Sequence, residues 1–211
     1  MILIIDFGSQ YNQLIARRVR EHQVYCQIEP PGIPLEQIRT FKPEGIILSG
    51  GPASIYEKGS PKVDPGIFNL GIPILGICYG MQYMVNILGG DVSPANKREY
   101  GFAGLLIRDE SGIFQGISQE TQCWMSHGDS IQRLPEGFQA TAQTDNTPVA
   151  AAENRKKQFY GFQFHPEVVH THEGKKMLEN FLFRICKCEK SWTMKSFARG
   201  AVEEIRHQVS D

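Results

Sequence analysis

Residues 2–6, Ile-Leu-Ile-Ile-Asp, form a continuous apolar run that stops at Asp6 and Gly8. A run without polar alternation is how a strand buried on both faces of a parallel sheet reads. Beyond it, Leu14, Ile15 and Val19 recur at helical spacing while Arg17, Arg18 and Arg20 fall on the other side, with Ser9 as the candidate cap. Residues 24–28, 44–48 and 73–77 are three further short strand candidates. The run 44–48 enters the turn Ser49-Gly50-Gly51-Pro52. The run 73–77 passes directly into a helical pattern with Met81, Met84, Val85 and Leu88 on one side, ended by Gly89-Gly90.

Strands alternating with helices over residues 1–90 predict an α/β fold, an open and mostly parallel sheet with flanking helices. From residue 98 to 165 the pattern changes to short strand-like runs at 104–108, 121–126, 138–144, 149–153 and 159–164. These read as a small antiparallel hairpin region attached to the sheet, with at least one strand returning to it. Residues 173–187 read as a closing helix whose buried stripe is Met177, Leu178, Phe181, Leu182 and Ile185. A last helical segment is expected from Trp192 to Val209, with Phe197, Val202, Ile205 and Val209 on one face.

Composition narrows the class. The 211 residues are 41% hydrophobic and 21% charged, which excludes wholesale disorder. A formal net charge of -1 leaves no broad basic field for nucleic acid and no polybasic block for an anionic membrane. Five cysteines are an odd number in a chain that is not short, so a reducing compartment is expected rather than a disulfide framework. The N-terminus lacks the basic region of a signal peptide, and no stretch approaches the roughly 20 apolar residues of a membrane span. The expected location is the cytoplasm.

Three segments carry candidate chemistry. Gly76-Ile77-Cys78-Tyr79-Gly80 lies where a strand turns into a helix, the setting of a nucleophile elbow with Cys in place of Ser. The small glycines let the chain fold tightly around the thiol, and the helix N-terminus favours negative charge on it. The bland alternative is a buried cysteine in a glycine-rich turn. The strand run 159–164 ends in His165-Pro166-Glu167. An activated cysteine needs a base, and the base needs an orienting acceptor; an ordinary surface turn is the alternative. The loop Ser49-Gly50-Gly51-Pro52 offers backbone N–H groups for an oxyanion hole together with the N–H of Tyr79. A phosphate loop is disfavoured because no G-x-x-x-x-G-K-[ST] pattern follows and Pro52 lacks a donor.

The combination GICYGMQ (76–82), GGP (50–52) and GFQFHPEV (161–168) resembles the class I, triad-type glutamine amidotransferases. WMSHGD (124–129), EVVHTHEG (167–174) and KREYG (97–101) resemble the branch formed by the N-terminal glutaminase domains of GMP synthases. The resemblance covers residues 2 to about 188 and implies the fold of that family. It implies that Cys78 attacks the side-chain amide of glutamine to give a γ-glutamyl thioester, with His165 as the proton carrier and Glu167 orienting it. It implies an oxyanion hole from Gly51 and Tyr79, and a glutamine site formed by Gln82, Ser126, His127, Gly128 and Asp129. His127 and Asp129 are also candidates for communication with a synthetase partner.

No cofactor is expected on this chain. The resemblance implies ATP and Mg on a separate synthetase, or ATP-pyrophosphatase, domain that uses the ammonia to aminate XMP to GMP. Partners are then L-glutamine and that synthetase domain, with no nucleic acid and no membrane. The expected division is residues 1–188 as the amidotransferase domain and 189–211 as a connector resembling the start of the synthetase domain. The S-G-G-x-D-S nucleotide loop of such a domain does not occur here, so the chain reads as one piece of a larger enzyme. A metal site is the competing constellation, from His170-Thr171-His172 and Cys186-Lys187-Cys188. Their spacing does not match zinc-site patterns, and the two cysteines are expected on opposite sides of a helix end. Cys26 and Cys123 read as core.

Overall fold

A computed structural model describes residues 1–193 and Arg206. The helix expected over 192–209 lies outside the described residues, apart from its first two positions and Arg206. The elements in chain order are β1 (Ile2–Ile5), α1 (Asn12–Glu21), β2 (Cys26–Glu29), α2 (Leu35–Phe41), β3 (Gly45–Leu48), β4 (Ile74–Ile77) and α3 (Tyr79–Ile87). There follow β5 (Asp91–Ile107), β6 (Glu120–Arg133), β7 (Gln139–Gln143), β8 (Ala151–Asn154), β9 (Phe159–Phe162) and α4 (Gly174–Glu179). The helix then widens into a π-helical stretch over Asn180–Ile185.

The nine strands of the described residues join in one sheet, in the order β2-β1-β3-β4-β9-β8-β7-β5-β6. The run β2-β1-β3-β4-β9 is parallel, and β9 is the strand that returns to it. The remaining pairings are antiparallel. The expected hairpin region is therefore a continuation of the sheet, built on its β9 edge.

Both faces of the parallel half are covered, which explains the unbroken apolar runs. Ile2 and Ile4 belong to the apolar cluster that also holds Ile15 and Val19 of α1 and Met177, Phe181 and Leu182 of the closing helix. Leu3 and Ile5 belong to the opposite cluster, with Ile38 of α2 and Tyr79, Met81 and Met84 of α3. Full burial of each such side chain contributes roughly 1.5–3 kcal/mol, so the period-2 alternation of β1 ties both layers to one strand. No helix among the described residues is long and apolar enough to cross a membrane.

Three local expectations are corrected. Ser9 is not the cap of α1: the helix begins at Asn12, and the Ser9 hydroxyl accepts from the Tyr11 N–H at 3.0 Å in the turn before it. The run 104–108 is only the end of a 17-residue strand, β5, which pairs along β6 with an irregularity between Pro94 and Glu99. Cys186 and Cys188 do not lie on opposite sides. Lys187 adopts φ 58°, which turns the chain so that the two buried thiols lie near enough to influence each other. Burial pushes the Cys186 thiol pKa up, and its neighbour Cys188 adds to the effect. The end of α3 follows the expected pattern: Gly89 takes φ 92°, its N–H donates to Asn86, and the Gly90 N–H donates to Val85 at 2.8 Å.

Candidate active site

In the parallel half, β1, β3, β4 and β9 are neighbours, so their C-terminal ends share one edge, where open α/β sheets bind ligands. These ends deliver Gly8 and Ser9, Ser49–Pro52, Cys78, and Gln163–His165 to one place.

Cys78 connects β4 to α3 with φ 48° and ψ -109°. This is outside the regions that L residues populate, and such a conformation costs about 1–3 kcal/mol, supplied by the surroundings. The surroundings are visible. The Cys78 N–H donates to Phe162 in β9 at 2.7 Å, and the Gly80 N–H donates to Ser49 at 3.0 Å. A Cβ at Gly76 would lie 2.6 Å from the Met81 nitrogen, and one at Gly80 would lie 2.3 Å from the Leu48 carbonyl oxygen. Both glycines are required by close backbone approach.

His165 is held through Nδ1. Its Nδ1 pairs with Glu167 Oε1 at 2.8 Å, and the ring shares a hollow with Cys78. Burial alone would lower its pKa, but the neighbouring Cys78 and Glu167 side chains raise it to about 10. The imidazole therefore keeps its proton through the neutral range. Glu167 is fully buried; its Oε2 has no partner among the described residues, and its main-chain oxygen accepts from Arg18 Nε at 2.9 Å. Tyr11 packs edge-on to the imidazole, with ring centroids 5.2 Å apart. The main chain of His165 is pinned by a bond from its N–H to Trp124 in β6.

The loop after β3 comes close to both Cys78 and His165. A Cβ at Gly50 would lie 3.1 Å from His165 Cε1 and 3.6 Å from Cys78 Cβ. A Cβ at Gly51 would meet the Phe7 carbonyl oxygen at 2.6 Å. Among the described residues, no acceptor takes the N–H of Gly51 or of Tyr79. Two backbone donors are thus left, that of Tyr79 next to Cys78 in the chain and that of Gly51 on the cavity Cys78 also lines. The Tyr79 ring is buried away from the site, its hydroxyl donating to Pro61 at 2.6 Å.

Cys78 opens onto a cavity of about 510 Å³. Gly51, Gln82, Ser126, His127, Gly128 and Asp129 line it, so the structure brings the sequence-derived site residues other than Tyr79, His165 and Glu167 to this one wall. His165 lies on a smaller adjoining hollow of about 210 Å³ that also reaches Cys78. Two of these side chains already have partners within the chain. The His127 imidazole is buried, bonded through Nδ1 to the Asp129 carbonyl at 2.8 Å and facing Glu99 at 3.7 Å, so it presents no free imidazole to a partner. Burial lowers its pKa, against the opposing pull of the Asp129 carbonyl and Glu99. Gln82 spends its amide N–H groups on Asp129 O and Gln163 Oε1, both at 3.1 Å.

The cavity also holds residues that the sequence reading did not single out. Arg98, Glu57 and Ser54 line it, and the Ser54 hydroxyl donates to Asp129 Oδ2 at 2.6 Å. Arg98 lies inside the KREYG segment, which was the available signal; Glu57 and Ser54 had none. Gln163, fully buried, donates to Cys78 Sγ at 3.7 Å. A larger groove, about 710 Å³, runs beside Leu106, Gln122, Gln143 and His172 and touches neither Cys78 nor His165. It lacks the candidate nucleophile and base, which lie on the smaller cavities. Among the described residues, no group of three or more His, Cys, Asp or Glu is placed to hold a metal ion. His170 instead packs on Trp124 with ring centroids 4.5 Å apart.

A strained cysteine at a strand–helix elbow, a buried imidazole and carboxylate, and two free backbone donors suit acyl transfer. The sequence profile of the glutamine amidotransferase class-I family matches residues 3–185. The chain belongs to the class I glutamine amidotransferases. It is 54% identical over 210 residues to GMP synthase (glutamine-hydrolyzing) of Carboxydothermus hydrogenoformans, an alignment covering 100% of this chain and 41% of that protein. It is 55% identical over 208 residues to the Heliobacterium modesticaldum protein of the same description, covering 99% and 40%. The chain thus spans about two-fifths of the length of these relatives. Among solved structures, a Thermoplasma acidophilum protein, described as a candidate component of GMP synthase, superposes with TM-score 0.81 and 33% identity, covering 88% of this chain and 93% of that one. A Thermotoga maritima glutamine amidotransferase shares the fold, with TM-score 0.68 at 20% identity over 89% and 98% of the two chains.

Proposed function

We propose that the chain hydrolyses L-glutamine through a Cys78–His165–Glu167 triad and passes the ammonia to a synthetase portion that aminates XMP to GMP. The observation that carries the first part is the strained Cys78 elbow held against a His165–Glu167 pair. Sγ attacks the γ-carbonyl carbon of glutamine. The carbonyl oxygen takes up negative charge against the N–H groups of Gly51 and Tyr79. His165 gives its proton to the departing amine, which leaves as ammonia, and a γ-glutamyl thioester remains on Cys78. Water then attacks the thioester carbonyl while His165 takes its proton. Collapse expels the sulfur and releases glutamate, so glutamine and water become glutamate and ammonia.

The cavity suits a small zwitterion. Arg98 offers a cation for the α-carboxylate, and Glu57 and Asp129 offer anions for the α-ammonium. Gly128 and Ser126 supply main-chain groups to the same wall. The second part of the proposal rests on the relatives' descriptions and on the SHGD and EVVHTHEG segments. In this reading, residues 1–188 are the glutaminase domain and 189–211 a connector toward the synthetase portion, which would use ATP and Mg in the cytoplasm.

The test is glutamate release from L-glutamine by the chain and by Cys78→Ala, with and without an XMP-aminating synthetase portion. The proposal expects release that depends on Cys78 and GMP formation only with the partner. Undiminished release by folded Cys78→Ala would overturn the triad. Glutamate release without any GMP in the presence of the partner would overturn the acceptor.

A further inference from the structure

Cys78 Sγ lies between two groups of opposite character. The Ser126 carbonyl accepts from the thiol S–H at 3.5 Å, a partner suited to the protonated sulfur. Gln163 Nε2 donates to the same sulfur at 3.7 Å, a partner suited to the thiolate. An amide is symmetric in shape, so which end of Gln163 faces the sulfur has to be fixed by its neighbours. Gln82 fixes it. The Asp129 carbonyl is an acceptor only, so the Gln82 nitrogen must face it. That nitrogen's other hydrogen then meets Gln163 Oε1 at 3.1 Å, which leaves the Gln163 NH₂ directed at Sγ.

The arrangement is rigid. Gln163 is fully buried and Gln82 is 3% exposed. β9 ends at Phe162, yet the Gln163 N–H still donates to the Ala150 carbonyl at 2.8 Å, which pins its main chain to the sheet. One side-chain path therefore runs from Asp129 O through Gln82 and Gln163 to the sulfur. A second contact runs from Ser126 O to the same atom. Both start on one stretch of β6, the wall that faces the cavity.

We propose that Gln163 is a positioning residue for the reaction, aimed by Gln82 to hold the Cys78 sulfur as a thiolate. This rests on the glutaminase reading above for its functional meaning. The hydrogen bond favours the deprotonated sulfur because an amide N–H donates to an anion and has nothing to accept from it. The same bond fixes where the sulfur sits relative to the imidazole. Movement of the Ser126–Asp129 wall, as on filling of the cavity, shifts the balance between the Ser126 acceptor and the Gln163 donor. The wall thus acts on the nucleophile without touching the substrate amide.

The test uses Gln163→Met, close in shape without a donor, and Gln163→Glu, which turns an oxygen toward the sulfur. Iodoacetamide labelling of the peptide carrying Cys78 is followed by mass spectrometry across pH in glutamine-free protein, and glutamine hydrolysis is measured in parallel. Labelling at pH 7 should slow about 10-fold in the Met variant, with its pH profile displaced to higher pH and the Glu variant displaced further. kcat should fall about 10- to 100-fold while KM stays within about twofold. An unchanged labelling profile in the folded fraction of either variant would overturn the proposal, as would a loss confined to KM. Failure of the wild-type chain to hydrolyse glutamine would instead sink the glutaminase reading, and the labelling profile would still decide the role of Gln163.

Discussion

Replacing Gly80 with Ala places one methyl group at the tightest point of the elbow. The new Cβ would lie 2.3 Å from the Leu48 carbonyl oxygen and 2.7 Å from both the Leu48 carbonyl carbon and Cβ. These are atoms of a central strand, fully buried, so they do not swing aside as a flexible side-chain end would. Restoring an ordinary contact near 3.4 Å moves the start of α3 by about 1 Å. Overpacking of this kind costs about 1–3 kcal/mol, and immobile backbone places it at the upper end. Alanine returns up to about 1 kcal/mol through helix propensity, which leaves a net loss of about 2 kcal/mol. For a domain of this size each kcal/mol lowers Tm by roughly 2–4 °C, so calorimetry should record a fall of about 4–8 °C. Activity should suffer more than stability. The same shift moves the Cys78 sulfur and the Tyr79 N–H, and a 1 Å misplacement costs about 100-fold in rate. Gly104→Ala is the control, since nothing lies within 4 Å of its Cβ and its φ is not positive. A Gly80→Ala protein that melts with this control and hydrolyses glutamine at the wild-type rate would refute the reasoning.

Two further outcomes follow from His165. Glu167→Gln removes the negative charge behind Nδ1 and permits the wrong tautomer, so the His165 pKa should drop from about 10 and kcat should fall about 10³- to 10⁴-fold; NMR titration and steady-state kinetics read the two effects, and an unmoved titration would contradict the pairing. The second concerns stability. A histidine whose folded pKa is raised to about 10 stabilises the fold fully below the unfolded value, about 6.5, and loses that contribution as pH rises through about 10. Urea unfolding at pH 6, 8 and 10 should therefore show a decline that is smaller in Cys78→Ala, where one of the two neighbours that raise the His165 pKa is gone; equal declines in both proteins would exclude the influence of Cys78 on the imidazole.

The parts of the fold that could be read from sequence are those where burial alone dictates the pattern. β1, β3 and β4 are each buried at every position, and continuous apolar runs announced them. The elbow was legible because its glycines are forced by backbone contact at Gly76 and Gly80. β5 was not, because Pro94, Arg98 and Glu99 give it no period; it exists by pairing along β6 rather than by its own sequence. α2 escaped because it buries a single residue, Ile38. At the site, Gln163 alternates with Phe162 and Phe164 and so reads as the outward face of a strand. All three are fully buried, because β9 has already ended and the cavity wall closes over it. The buried His127 was hidden for a related reason: its partners Glu99 and Thr147 come from distant segments that no local pattern connects.

The central claim is that Cys78 forms a covalent intermediate with glutamine. Rapid acid quenching of the chain with L-glutamine, followed by mass mapping of its peptides, measures this directly. The account predicts a γ-glutamyl adduct on the peptide carrying Cys78, absent from Cys78→Ala and accumulating in a variant slowed at His165. Glutamine turnover with no adduct on Cys78, or with the adduct on another of the five cysteines, would contradict it.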